Sequence, residues 1–295
     1  MSPFFLLALL AGLGSALGLL FLKRTLAEGA GYVRTLFCTN MAMAVINLGL
    51  IPFQNTPVHW EYLPYPLLAG VAFFAGQASQ LLAIKTGDVS VVTPTMGTKV
   101  ILVALISTAL FGRDLPPVAW WAVLLAALAV GLLGFSPKTA GDRRAIFAAI
   151  GWALLAAFFF GLCDNLVSEW SPLFGRPLYI PISFLSAAVL SFALIPFFRE
   201  PLRTLPRRSL PWVGLSSGVL ALQALLLAIA LSYTDPTANN ILYSSRALWS
   251  VVLVSTLGPL IGNREGERGR WVLAARFLGA SLILLSIFLL LRASG

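Results

Sequence analysis

Two cations stand where apolar surroundings make charge costly. Lys99 interrupts "VVTPTMGTKVILVAL" (91–105), and Arg246 interrupts "ILYSSRALWSVV" (241–252), 147 residues further on. A lysine offers a compact point charge and an arginine a planar fork that grips carboxylate or phosphate with two parallel hydrogen bonds. Against lipid, each would cost at least about 2.5–3.5 kcal/mol at mid-bilayer depth. Both should therefore face a protein interior or a wet cavity. If they share one site, they repel unless something anionic joins them.

Three occupants of that site are open. A substrate bearing a phosphate or carboxylate is one. Ion pairing with Asp164, the one deep acid, in "FFFGLCDNLV" (158–167), is another, as is helix-carbonyl contact. A water-filled vestibule is the third. Asp164 can neutralise one cation and not both, and its position close to the end of its apolar run sets it far from them. Buried, it is also a candidate proton carrier for coupling.

Uncharged polar residues fall in similar runs. Gln77 and Gln80 in "FFAGQASQLL" lie at i, i+3, on one helical face, and Gln223 in "GVLALQALLL" falls one position from the repeat equivalent of Gln77. Asn239, Tyr243 and Arg246 fall at i, i+4, i+7, one helical stripe ending on the arginine. These five are candidate cavity-lining residues beside Lys99 and Arg246. For each glutamine alone, a bond across to a neighbouring helix, worth about 0.6 kcal/mol on average, is the competing reading.

The elements that must hold these residues follow from composition. Of 295 residues, 59% are hydrophobic and only 11% charged, with mean hydropathy +0.90. Soluble domains carry roughly 25% charged residues, so this chain is expected to be an all-α protein embedded in a lipid bilayer. A bilayer core of about 30 Å takes roughly 20 helical residues. Ten apolar runs meet that length: 3–22, 32–53, 63–84, 90–111, 117–135, 145–167, 177–198, 211–231, 237–261 and 270–291. The breaks between them are short and rich in Gly, Pro or charge, as turns between antiparallel helices are. The first run lacks a basic leader and is followed by "LKR", so it reads as a retained span rather than a signal peptide.

The 147-residue offset extends beyond the two cations. It sets Asp88 on Asp235, Ser90 on Thr237 and Thr98 on Ser245, and an offset of 150 sets Trp121 on Trp271. The chain therefore reads as two five-span halves, 1–138 and 142–295. An odd number of spans per half inserts the halves in opposite orientation, the inverted repeat that secondary transporters use to build a midplane substrate site.

Ten spans, two halves, a polar turn into "VSVVTPTMGTKVILVAL" and a short "FGRDL" loop resemble the drug/metabolite transporter superfamily, in its EamA-like branch. The resemblance implies a multi-pass secondary transporter working by alternating access in a bacterial cytoplasmic (inner) membrane. In the phosphate-translocator and nucleotide-sugar branches, basic residues of the fourth and ninth helices hold phosphate, and Lys99 and Arg246 are similar by position. The chain departs from the pattern in lacking Trp-Gly in "LGSALGLLFLKR", and the acid expected after "FG" is displaced to Asp114, with Glu265 as its nearest counterpart.

Small residues and prolines add packing expectations. Gly14 and Gly18, with Gly12 and Ser15 alongside, read as a helix-packing seam. Pro94 and Thr93 are expected to kink the fourth helix before Lys99. Of 20 basic residues, 15 fall on or beside the odd-numbered turns and three on the opposite face. That bias places the odd turns in the cytoplasm and both termini outside, whereas the resemblance implies the reverse.

Other classes are excluded or left without support. The net charge of +9 reflects these turns and not a groove reader, so no nucleic-acid partner is expected. Cys38 and Cys163 form no CxxC and His59 is the single histidine, so neither a metal site nor a disulfide framework is supported. There is no GxxxxGK[ST] and no cofactor is expected. An intramembrane enzyme would want paired carboxylates or a deep His/Asp set, so the chain is expected not to be an enzyme. The expected function is transport of a small organic metabolite with an anionic group. The alternative is export of amino acids or amphipathic drugs, with the cations structural or carboxylate-binding. The expected partners are a small-molecule substrate and the bilayer, with monomer and homodimer both open.

Overall fold

The structure, a computed structural model, describes residues 3–86, 89–134, 143–257 and 270–293. Among them every regular element is helical. The α-helices are α1 (Phe4–Ala27), α2 (Tyr32–Leu48), α3 (Pro64–Thr86), α4 (Val89–Met96), α5 (Lys99–Ala109), α6 (Pro117–Gly134), α7 (Arg143–Phe174), α8 (Arg176–Ser191), α9 (Leu210–Tyr233), α10 (Pro236–Tyr243), α11 (Arg246–Thr256) and α12 (Arg270–Ala293). Short 3₁₀ turns extend α2 over Ile51–Phe53 and α8 over Phe192–Phe197.

Among the described residues, six segments are long and apolar enough to cross a membrane: Phe4–Ala27, Tyr32–Phe53, Trp60–Thr86, Arg143–Phe174, Arg176–Phe197 and Leu210–Tyr233. Burial runs opposite to that of a soluble protein. Phe147 is 71% exposed and Phe277 78%, whereas Asn40, Asn47, Asn165 and Asn239 rank among the largest fully buried side chains. A surface of large apolar side chains around a core that holds amides is the distribution a bilayer imposes. Together with the composition, it defines a multi-pass helical membrane protein.

Two expected single spans, 90–111 and 237–261, are each split in two. α4 and α5 are separated by Gly97–Thr98, and α10 and α11 by Ser244–Ser245. The halves of each pair have the same lengths, eight and 11 residues, and every boundary recurs at the offset of 147. Pro94 is not the common cause, because Ile241 stands at the offset position and the second break forms without a proline. What the breaks share is a hydroxyl that takes up a carbonyl near the end of the first helix. Thr98 Oγ1 donates to Thr95 O (2.7 Å), and Ser244 Oγ donates to Asn240 O (2.7 Å). Each carbonyl also accepts a backbone amide, Thr95 O from Thr98 N (3.1 Å) and Asn240 O from Ser244 N (3.0 Å), so the hydroxyls add a second bond at each break.

Helix pairing follows a consistent scheme. α3 packs lengthwise on α7 and α1 on α9; α2 packs on α8 and α9, α3 on α8, and α6 on α12. Alanine makes these approaches possible: Ala8, Ala104, Ala122 and Ala126 are buried in one cluster with Val100, Val123, Ile241 and Leu242. The expected glycine seam is present on α1. A Cβ at Gly18 would lie 2.7 Å from the Leu220 side chain, and one at Gly14 would lie 3.0 Å from Gln223 Cβ, both on α9. Gly12 does something different. A Cβ there would lie 2.9 Å from Ser245 Oγ and 3.3 Å from the Arg246 amide nitrogen, so this glycine admits the second helix break against α1.

One further boundary corrects the sequence reading. The apolar run ends at 167, but α7 continues to Phe174, because Ser168, Glu169 and Trp170 extend the helix beyond the apolar segment. Asp164 is therefore well inside its helix and not near its end. Asp88 and Glu265, used in the repeat and loop comparisons, lie outside the described residues.

Candidate functional site

Splitting α4 from α5 and α10 from α11 makes Lys99 and Arg246 the first residues of α5 and α11. Each is the eleventh residue of a 21-residue stretch, Val89–Ala109 and Pro236–Thr256, so both sit at mid-depth. Both line one cavity of about 210 Å³. Among the described residues, ten helices contribute to its wall, and none of the lining residues comes from α6 or α12, which pair with each other. Of the candidates, Lys99, Arg246, Gln77, Gln80, Gln223, Tyr243 and Asp164 line it, and Asn239 does not.

Lys99 is not free. Its Nζ lies 2.6 Å from Asp164 Oδ2, with both side chains about nine-tenths buried. The packing of α7 against α5 brings this acid within reach. Asn240 on α10 donates from Nδ2 to the same Oδ2 (2.8 Å) and to Pro236 O (2.9 Å). The carboxylate is thus braced from α5 and α10 at once. Removing one partner of such a pair typically costs about 3–5 kcal/mol, because the other charge is left buried alone.

Arg246 has no such partner. Among the described residues no carboxylate lies within ion-pair distance of it. Its Nη1 donates to the Tyr243 hydroxyl at 3.4 Å, and its guanidinium stands 4.9 Å from the Tyr243 ring centroid. The Lys99 ammonium lies 5.7 Å from the same ring. The Tyr243 hydroxyl is 3.1 Å from both Ser15 Oγ and Gln223 Oε1 and, with one proton, donates to one at a time. Arg246, half-buried, keeps most of its five donors for whatever enters.

The remaining candidates divide. Gln77 is spent in a reciprocal amide pair: it donates to Asn40 Oδ1 (2.8 Å) and accepts from Asn40 Nδ2 (2.7 Å), which also reaches Ser191 Oγ (2.7 Å). That is the cross-helix bond weighed against ligand binding. Gln80 lines the cavity with no hydrogen-bond partner among the described residues. Asn239 leaves the stripe altogether. Fully buried, it donates to Thr234 Oγ1, to Asp235 O (3.1 Å) and to Ala230 O (3.3 Å), tying the α9–α10 turn. Asn239, Tyr243 and Arg246 share one stripe only on a continuous helix, and the break at Ser244–Ser245 sets Arg246 on a separate helix, α11.

The two ends of the cavity differ. Towards the α1–α2 turn its wall reaches Leu22 and Tyr32, the first residue of α2. On the opposite side of the bundle, among residues that do not line the cavity, a network joins three helices. Arg113, just beyond α5, donates to Glu169 of α7 (2.8 Å) and to Asp235 (3.4 Å), and Asp235 in turn caps α10 through Ala238 N (2.9 Å). Arg176 donates to Ser232 O (2.8 Å) and stacks on Tyr233, whose other neighbour is Phe4. Asn40, Asn240 and Arg113 are not site candidates in the sequence, and Ser15 stands there only as part of the packing seam. Asn240 adjoins Asn239, and a reading that allowed the break would have chosen it instead.

The described residues contain no group of three or more His, Cys, Asp or Glu placed to hold a metal ion.

The class defined by fold and site is a multi-pass helical membrane protein with a charged, mostly apolar cavity enclosed by broken and continuous helices. No known protein-family model matches the chain. It is 29% identical over 148 residues to an uncharacterized transporter of Archaeoglobus fulgidus, a match covering 49% of this chain and 52% of that protein. The match therefore spans about half the length of that relative (52%). A solved crystal structure of another protein superposes with a TM-score of 0.71 over 96% of this chain and 97% of that one, at 17% identity, which shows a shared fold.

Proposed function

We propose that the protein is a secondary transporter, moving a small organic metabolite with an anionic group by alternating access between two inverted five-helix halves, 1–138 and 142–295. The observation that carries this reading is Arg246: a cation at mid-depth, in a cavity, with no carboxylate partner among the described residues. The recurrence of both helix breaks at one offset supports the repeat, as does the pairing of α1 with α9 and of α3 with α7. Broken helices meeting at a midplane site are the arrangement that alternating access uses. The similarity to an uncharacterized transporter points the same way, and the drug/metabolite transporter resemblance, EamA-like branch, fits both. The charge bias puts the end where the cavity reaches Leu22 and Tyr32 on the cytoplasmic side.

A second reading draws on the Lys99–Asp164 pair. In it Lys99 is structural, and the cavity exports amino acids or amphipathic drugs. Screening purified protein by thermal shift against phosphorylated sugars, nucleotides, carboxylates and amino acids, with Arg246→Ala and Lys99→Ala in parallel, separates the two. The first reading expects stabilising anions whose effect is lost in Arg246→Ala. Stabilisation by neutral or cationic solutes alone, unchanged in both variants, would remove it.

A further inference from the structure

Resting on the anion-site reading, we infer that Asp164 sets the valence of the solute: the cavity takes a monoanion on a mainly apolar body, and neither a dianion nor a zwitterion. Among the described lining residues the charged side chains are Lys99, Arg246 and Asp164. Their formal charges leave one positive charge to be met. That charge belongs to Arg246, because the Lys99 ammonium is held by Asp164 at 2.6 Å and the same oxygen is fixed by Asn240 at 2.8 Å.

A phosphate monoester carries close to two negative charges at neutral pH. To be matched it must draw Lys99 away from Asp164, leaving a buried carboxylate beside a dianion. Like charges about 4 Å apart oppose each other by about 4 kcal/mol at the effective dielectric of such sites. A zwitterion brings an ammonium that needs an acceptor charge, and the one acid in the wall is already engaged twice. A monocarboxylate needs only the Arg246 fork. The rest of the wall suits a body without charge: Leu19, Phe73, Phe160, Phe184 and Leu227 supply apolar surface, and Gln80 a spare amide.

The test uses the full chain in detergent at pH 7.4 and a matched set of probes that share a phenylethyl body: 3-phenylpropionate, 2-phenylethyl phosphate, phenylalanine and 2-phenylethylammonium. Affinities come from isothermal titration. The expected result is 3-phenylpropionate bound at least about tenfold tighter than each of the others. Asp164→Asn, which frees Lys99 and leaves two positive charges, should move the phosphate-to-carboxylate affinity ratio at least about tenfold towards phosphate. Lys99→Gln/Asp164→Asn restores a single positive charge and should keep the wild-type order, so the inference stays decidable if Asp164→Asn alone fails to fold. Phosphate or phenylalanine binding as tightly as 3-phenylpropionate to the wild type overturns the valence assignment while leaving an anion site. An unchanged ratio in Asp164→Asn overturns the role of that residue. Binding of 2-phenylethylammonium alone, or of no probe, overturns the anion site itself and the inference with it.

Discussion

One aromatic ring serves two cations: Tyr243 has the Lys99 ammonium 5.7 Å and the Arg246 guanidinium 4.9 Å from its centroid. A ring quadrupole attracts cations by about 0.5–2 kcal/mol, and Tyr243 also donates its hydroxyl to Gln223 or Ser15. Tyr243→Phe keeps the ring and removes the hydroxyl, and a neutral hydrogen bond is worth about 0.5–1.5 kcal/mol. Tyr243→Leu removes both. The thermal unfolding midpoint of the purified protein should fall for Tyr243→Phe and fall further for Tyr243→Leu. Equal losses would show that the ring contributes nothing beyond its hydroxyl.

The Lys99–Asp164 pair makes a second, sharper demand. Lys99→Met leaves Asp164 buried with only Asn240 beside it, and Asp164→Leu leaves Lys99 with none of its present charge partner. Each single change should cost about 3–5 kcal/mol. The double variant Lys99→Met/Asp164→Leu removes both charges and should be more stable than either single one, because replacing a buried pair by apolar side chains is often neutral. Denaturation of the four proteins gives the coupling. Additive losses would mean that the two side chains do not depend on each other.

How legible was this site before the fold was known? Lys99 and Arg246 stood out because a charge in an apolar run is expensive wherever the helix points, and their depth followed from counting residues. The partner of Lys99 was hidden by a boundary. Hydropathy marks where the bilayer ends, whereas the backbone of α7 continues through Ser168 and Glu169 to Phe174, so Asp164 looked peripheral when it is central. The breaks at Gly97–Thr98 and Ser244–Ser245 were hidden for another reason. A two-residue interruption leaves the apolar composition intact while rotating everything beyond it, which is why Asn239 was chosen where Asn240 makes the contact. Arg113 lies in a turn and Glu169 beyond the apolar part of α7, where charge is ordinary, and only the fold brings both together with Asp235.

Arg113 leads to a prediction about access. It joins the turn after α5 to α7 and to the start of α10, on the side of the bundle opposite Leu22 and Tyr32. Arg113 and Glu169 are 27% and 36% exposed, so the pairs are worth little as stability, roughly 0–1 kcal/mol. Their effect should be on opening. Cys163 lines the cavity and Cys38 does not, so a Cys38→Ser background leaves one native reporter. In oriented proteoliposomes, a charged methanethiosulfonate should label Cys163 faster from the α1–α2 end than from the Arg113 end. Arg113→Ala should raise the rate from the Arg113 end and leave the unfolding midpoint nearly unchanged. If the Arg113-side rate does not rise, these contacts do not hold that end shut.

Gly12 tests whether the second break must touch α1. A Cβ at this position would stand 2.9 Å from Ser245 Oγ and 3.3 Å from both the Arg246 amide nitrogen and the Tyr243 carbonyl oxygen. The hydroxyl can turn aside, but two of the three atoms are backbone and cannot yield without moving α10 or α11. Gly12→Ala should therefore cost about 1–3 kcal/mol, as overpacking does, although alanine is the better helix former by about 1 kcal/mol. Gly131 has nothing within 4 Å of the same construction, and Gly131→Ala should be neutral or stabilising. Because the atoms displaced at Gly12 are those that aim Arg246, the substitution should also weaken 3-phenylpropionate binding more than it lowers the unfolding midpoint of the unliganded protein. A Gly12→Ala protein as stable as Gly131→Ala, with unaltered binding, would show that α1 and the Ser244–Ser245 break are free to separate.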